Sequence, residues 1–149
     1  VKGSQSQGVA ATVKHFALNN KETDRKHSDS RVSERAAREI YLKAFEYVIK
    51  GAKPWAVMSS YNIINGCYAS ENKELLEDIL RDEWGFDGMV TTDWWTLGEH
   101  YKEVKAGNDM KMACGDPKRL KEAMDQGLLT RQDLEHCAER VLNLILKLD

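Results

Sequence analysis

Gly88-Met89-Val90-Thr91-Thr92-Asp93 decides the fold. The run is short, apolar and β-branched, opens on a glycine and ends on a carboxylate. Such a run between helical patterns reads as a buried strand of a parallel sheet. Just upstream, Ser70 is placed to cap a helix carrying Leu75, Leu76, Ile79 and Leu80, which Gly85 ends. Before that helix comes a second strand-like run, Trp55-Ala56-Val57-Met58-Ser59-Ser60-Tyr61, followed by a turn containing Asn65-Gly66. Farther upstream the pattern repeats. Val9-Ala10-Ala11-Thr12-Val13-Lys14-His15-Phe16 follows Gly8, and Ser33 then caps a helix with Ala37, Ile40, Tyr41, Ala44, Val48 and Ile49 at helical spacing. Gly51 is expected to stop this helix, and Pro54 prevents its continuation.

Downstream, a shorter helix from about Leu97 to Ala106 leads past Gly107 to a weak strand at Asp109-Met110-Lys111-Met112. Asp116-Pro117 offers an N-cap with proline at the first helical position, and Gly127 closes that helix. Thr130 with Asp133 forms a capping-box pattern. The final helix aligns Leu134, Ala138, Val141, Leu142, Ile145 and Leu148, a stripe expected to be core.

Strand followed by helix, repeated about four times, implies parallel strands joined by right-handed crossovers. The expected fold class is α/β, about four parallel β/α units. That is half of a TIM-type (β/α)8 barrel, or a small open sheet. Unpaired edges and an open inner face favour self-association, so a homodimer of half-barrels is expected.

The 149 residues are 42% hydrophobic and 31% charged, the balance of a globular protein rather than of disorder. A net charge of −2 and the lack of a basic stripe argue against nucleic acid as a partner. No apolar run approaches the roughly 20 residues of a membrane span. Val1 in place of Met, with no leader-like start, reads as a piece of a longer chain. Cys67, Cys114 and Cys137 are odd in number and widely spaced, which suits buried free thiols in a reducing, cytoplasmic setting. His15, His27, His100 and His136 lack metal-ligand spacing, and no glycine-rich phosphate cradle occurs, so neither metal nor cofactor is expected.

In parallel α/β folds the chemistry gathers at the C-terminal ends of the strands. Lys14 and His15 end the first strand, Ser60-Tyr61-Asn62 the second, and Asp93-Trp94 the third. A carboxylate, a lysine, a histidine and aromatic faces on one rim suit a polyhydroxylated substrate. Lys14 is the expected cation beside Asp93, holding the carboxylate in its charged form. Taken singly, each residue has a plainer reading. A strand-ending Asp often caps a turn, a His beside a Phe often sits in the core, and Trp94 and Trp95 suit core packing. Lys14 also fits a Schiff-base aldolase.

The combination is more specific than its members. Lys14-His15-Phe16, Asn19 to Arg25, Val32-Ser33-Glu34-Arg35-Ala36, Met58-Ser59-Ser60-Tyr61-Asn62, Glu83 to Gly88, Thr92-Asp93-Trp94 and Ala106-Gly107-Asn108-Asp109 follow in that order. The series resembles glycoside hydrolase family 3, the β-glucosidase-type enzymes. The resemblance implies a retaining double displacement with Asp93 as nucleophile, Lys14 and His15 on sugar hydroxyls, and Met58 and Tyr61 lining the same pocket. It further implies Trp94 as the wall on the leaving-group side, a carbohydrate substrate, and Glu22 with Arg25 holding the loop after the first strand. The family's first barrel strands and its acid/base α/β domain find no counterpart in these residues, so the chain by itself is expected to be inactive or merely sugar-binding. Two departures stand out. Met112 is followed by Ala113-Cys114-Gly115 rather than by the family's proline, which leaves that turn open. The histidine-aspartate loop of the family's N-acetylglucosaminidase branch has only a loose echo in Thr23-Asp24 and His27.

Overall fold

The structure, a computed structural model, describes residues 1–148. A short helix α1 (Lys2–Gln5) precedes strand β1 (Thr12–Phe16). After a loop come strand β2 (Asp29–Ser30), α2 (Glu34–Ala36) and α3 (Lys43–Ala52). Strands β3 (Ala56–Ser59), β4 (Ile63–Ile64) and β5 (Cys67–Tyr68) lead to a wide helix over Glu74–Glu83, then β6 (Met89–Thr92). Helices α4 (His100–Ala106), α5 (Pro117–Asp125) and α6 (Arg131–Leu146) follow.

The main sheet is parallel in the order β1-β3-β6. Ala56 to Ser59 pair in unbroken register with Met89 to Thr92. On the other side Thr12 pairs with Ala56 and Val13 with Val57, but Phe16, not Lys14 or His15, pairs with Ser59. Three steps along β1 therefore match two along β3, a bulge that re-aims the side chains between. With crossover helices on one face, this is the half-barrel that the strand–helix alternation implied. The fourth strand shrinks to a single parallel bridge between Thr91 and Met110. Pairing stops there because Met112 gives its N–H to the Thr92 hydroxyl and Ala113 turns away with φ 63°. That turn lies where the proline is replaced.

Phe16, Val57, Val90, Leu76 and Leu80 are fully buried between the sheet and the helices. The Phe16 ring meets Phe45 and Trp84 edge-on, at 5.1 and 5.8 Å between centroids. Sixteen buried residues form this cluster, and it holds the strands in the register that aligns their ends.

The caps follow local chemistry. The Ser33 side chain accepts from Ala36 N–H, Asp116 accepts from Lys118 and Arg119 N–H, and Thr130 with Asp133 forms a reciprocal capping box. Two expected boundaries move. Helix α3 runs through Gly51 to Ala52 and is ended by Lys53 in the left-handed region, φ 48°. Asn72 rather than Ser70 accepts from Leu75 N–H, because the Ser70 hydroxyl is committed to Glu103. The turn over Ala37–Tyr41 and the Glu74–Glu83 helix are π-wound. Leu42 N–H reaches Ala37 O at 2.8 Å and Trp84 N–H reaches Ile79 O at 3.1 Å.

A second small sheet, β2-β4-β5, was not anticipated. β2 lies parallel to β4, and β4 turns back into β5 through Asn65-Gly66, both with positive φ. That pair fits a two-residue hairpin turn of the primed type. The expected core stripe of α6 is also corrected. Only Cys137 is buried on this helix, while Leu142 is 58% and Ile145 48% exposed, because no element among the described residues covers that face. Of the three cysteines Cys137 alone is buried; Cys67 and Cys114 are partly accessible.

Candidate active site

Asp93 is the first residue past β6, and its N–H donates to Ser59 O at 3.2 Å, extending the pairing one step. The carboxylate therefore emerges at the C-terminal rim of the sheet. Its Oδ1 accepts the Trp94 N–H at 2.7 Å, and its Oδ2 lies 3.5 Å from His15 Nε2. The Asp93 side chain is only 9% exposed, so solvent screens the imidazole weakly.

His15 sits in the bulge of β1, and the bulge decides which neighbour Asp93 receives. Lys14, expected as the cation at the carboxylate, is exposed and makes no hydrogen bond or ion pair among the described residues. His15 takes that position instead. An exposed Lys14 also lacks the desolvation that prepares a lysine for Schiff-base chemistry. Met58, half-buried, stands opposite Thr91 in the β3–β6 register.

Tyr61 is buried, and its hydroxyl donates to Trp94 O at 2.5 Å, tying the end of the β3 segment to that of β6. The phenol is held above its ordinary pKa, first by burial and then by the negative charge of Asp93. Two cations face its ring: Arg25 at 4.6 Å and Lys26 at 4.9 Å from the centroid. Arg25 pairs with Glu22 at 3.0 Å, and Lys26 donates to Trp95 O at 3.1 Å. The loop after β1 is thus fastened across Tyr61 to the segment that carries the tryptophans. Trp94 and Trp95 are both about half exposed, with ring centroids 5.4 Å apart.

Behind the rim lies a polar network that sequence reading missed. Ser59 Oγ donates to Asn108 Oδ1 at 2.8 Å, and Asn108 Nδ2 donates to Ser70 O at 2.6 Å. Ser70 Oγ donates to Glu103 Oε1 at 2.9 Å, and Lys111 is ion-paired with the same fully buried carboxylate. Ser59 and Asn108 carried a signal, through the Met58-Ser59-Ser60-Tyr61-Asn62 and Ala106-Gly107-Asn108-Asp109 segments, but neither segment pointed to this network. Asp109 fastens the other end of β6: its carboxylate accepts from Val90 N–H at 2.7 Å and from Arg81 at 2.8 Å. Both networks position strand ends and lie away from the exposed rim. A buried carboxylate flanked by an imidazole, a phenol that stays protonated and accessible indoles can meet an electrophilic carbon that carries hydroxyls.

Comparison with known proteins places this arrangement. The profile described as "Glycosyl hydrolase family 3 N terminal domain" matches residues 1–144. The chain is 62% identical over 135 residues to beta-glucosidase A of Butyrivibrio fibrisolvens, covering 91% of this chain and 16% of that protein. It is 45% identical over 148 residues to an exo-alpha-(1->6)-L-arabinopyranosidase of Bifidobacterium longum, covering 99% and 20%. The structure of beta-glucosidase 3B from Thermotoga neapolitana in complex with glucose superposes with a TM-score of 0.94 at 44% identity, covering 99% of this chain and 22% of that one. The chain thus spans about a fifth of the length of each of these relatives. With its strand order, its rim and these likenesses in agreement, the chain belongs to glycosyl hydrolase family 3, within that family's N-terminal domain.

Proposed function

We propose that the chain is the nucleophile-bearing half of a retaining exo-β-glycosidase barrel, acting on terminal β-linked sugars of the glucose type. In the first step Asp93 Oδ2 bonds to the anomeric carbon as the bond to the leaving oxygen breaks. Water then displaces the carboxylate from the glycosyl-enzyme. The observation that carries this reading is the placement of Asp93: at a strand end, 3.5 Å from His15 and beside Tyr61 and Trp94.

His15 and Lys14 bind sugar hydroxyls, Met58 and Tyr61 line the pocket of the cleaved residue, and Trp94 walls the leaving-group side. A phenol held above its ordinary pKa remains a hydrogen-bond donor at neutral pH, as a sugar-facing Tyr61 requires. The double displacement also needs a carboxylic acid about 5–5.5 Å from the nucleophile. We assign that acid to an α/β domain outside these residues, together with the first barrel strands. Double displacement through two carboxyl groups calls for no cofactor.

Trapping tests the proposal. In the protein that carries the whole barrel, a 2-fluoro-glucoside is expected to leave a covalent adduct on the peptide containing Asp93, and Asp93→Ala is expected to abolish it. An adduct that survives this substitution overturns the assignment. The 149-residue chain alone is expected to lose the general-acid contribution of about 10²–10⁴-fold. Full turnover of a nitrophenyl glucoside by that chain contradicts the division of labour. A nitrophenyl arabinopyranoside measured in parallel sets the preferred sugar, given the two kinds of relative.

A further inference from the structure

We infer that Lys111 is a positioning residue for the leaving-group side of the site. It locks residues 94–98 from their buried side, so that the two accessible indoles keep one pose toward the leaving group. This rests on the reading of Trp94 as the leaving-group wall. Residues 94–98 join β6 to α4 without helix or strand, so their backbone is shaped from outside. Trp94 O accepts the Tyr61 hydroxyl, Trp95 N–H donates to Met112 O at 3.3 Å, and Trp95 O accepts from Lys26. Trp95 itself sits in the left-handed region, at φ 54°. A side-chain-bearing residue keeps that conformation only where its surroundings fix the chain on both sides.

On the downstream side Lys111 does the fixing. Its Nζ donates to Thr96 Oγ1 at 3.2 Å and to Gly98 O at 2.8 Å, and it is ion-paired with Glu103. An ammonium has three N–H groups, and these three acceptors use all of them. The Lys111 side chain is 6% exposed and that of Glu103 1%. The other Glu103 oxygen accepts from Ser70, so the carboxylate is held at both ends. Gly98 lies so near it that a Cβ there would come 2.5 Å from Glu103 Oε1. A buried ion pair gains little stability over apolar side chains of the same volume. What Lys111 adds is the fixed placement of Thr96 and Gly98. Neither Trp94 nor Trp95 belongs to the buried cluster, so their pose is that of the backbone which carries them.

Lys111→Met combined with Glu103→Gln removes both charges together, so that no buried charge is left unpaired. In the ¹⁵N-labelled chain this double variant is expected to shift and broaden the indole N–H signals of Trp94 and Trp95. Those of Trp55, at the other end of the sheet, and Trp84, in the core, are expected to stay. Four unchanged signals, or four that move alike, overturn the inference. In the protein that carries the whole barrel, the same variant is expected to raise KM for 4-nitrophenyl β-glucoside roughly threefold to tenfold. Inhibition by glucose, which fills only the pocket of the cleaved residue, is expected to be unchanged. Glucose affinity that falls in step with KM makes Lys111 a general support of the site and overturns its leaving-group role. Gly98→Ala presses the segment off Glu103 without touching a charge, and supplies a second measurement in the same direction should the double variant fail to fold. A wild-type protein that hydrolyses no glucoside sinks the glycosidase reading instead, and the indole signals then still decide whether Lys111 holds the segment.

Discussion

Tyr61 shows how much one side chain can report. Its hydroxyl ties to Trp94 O, its ring lies against Arg25 and Lys26, and its acidity responds to Asp93. Tyr61→Phe leaves the Trp94 carbonyl without its donor, at about 1 kcal/mol, and is expected to lower turnover of the whole enzyme about tenfold. A raised folded pKa means that the folded state holds this proton more tightly than the unfolded chain does. The associated stability is complete below the ordinary tyrosine value of 10.0 and is lost as pH climbs through the raised folded value. Urea midpoints across the alkaline range are expected to fall less steeply in Tyr61→Phe, and an identical decline in both proteins contradicts this. Asp93, His15, Tyr61 and Trp94 could be placed together from strand ends alone. The exchange of Lys14 for His15 could not, because it follows from a bulge that alternation along β1 does not reveal. Arg25 and Lys26 over Tyr61 were equally hidden, since they reach the ring through a loop shaped by pairing of β2 with β4.

Among the elements, β6 is fastened by buried ionic contacts. Asp109 accepts from Val90 N–H and Arg81, and Arg140 adds a contact at 3.2 Å. The Asp109 side chain is fully buried, and burial pushes its pKa up while pushing that of Arg81 down, so each charge depends on the other. Removing one partner leaves the other buried and unpaired. Asp109→Ala is therefore expected to destabilise the chain by about 3–5 kcal/mol. Asp109→Leu combined with Arg81→Met is expected to cost less than Asp109→Ala alone, although it removes more charge. Chemical denaturation of the two variants beside the unaltered chain decides this, and a double variant weaker than Asp109→Ala refutes the ionic account. Capping chemistry was plain in the sequence at Ser33, Asp116 and Thr130 because it is local. Ser70 misled because a distant carboxylate, Glu103, takes its hydroxyl. The strands of the small sheet are two residues each, too short for an alternating pattern to register.

At the scale of the molecule, the half-barrel followed from strand–helix alternation, but the α6 stripe shows where periodicity ends. Spacing tells which face of a helix is apolar and nothing about what covers it. Leu142, Ile145 and Leu148 share that face and stay about half exposed, as does Val9 ahead of β1. β1 itself has β3 on one side only, leaving its other edge unpaired. An open strand edge and an accessible apolar stripe in one chain favour association that covers both. We therefore propose that the isolated chain pairs with a second copy. Light scattering is expected to show a mass that rises with concentration toward twice 17.0 kDa. Each buried leucine or isoleucine contributes roughly 1.5–3 kcal/mol to such a contact. Leu142→Glu with Ile145→Glu is accordingly expected to shift the mass to the monomer while leaving the fold intact, since neither side chain belongs to the buried cluster. A wild-type chain that stays monomeric at every concentration removes the dimer. A dimer that survives both substitutions moves its contact from α6 to the β1 edge, where Thr12→Pro, at a position whose N–H faces away from β3, would then have to dissolve it.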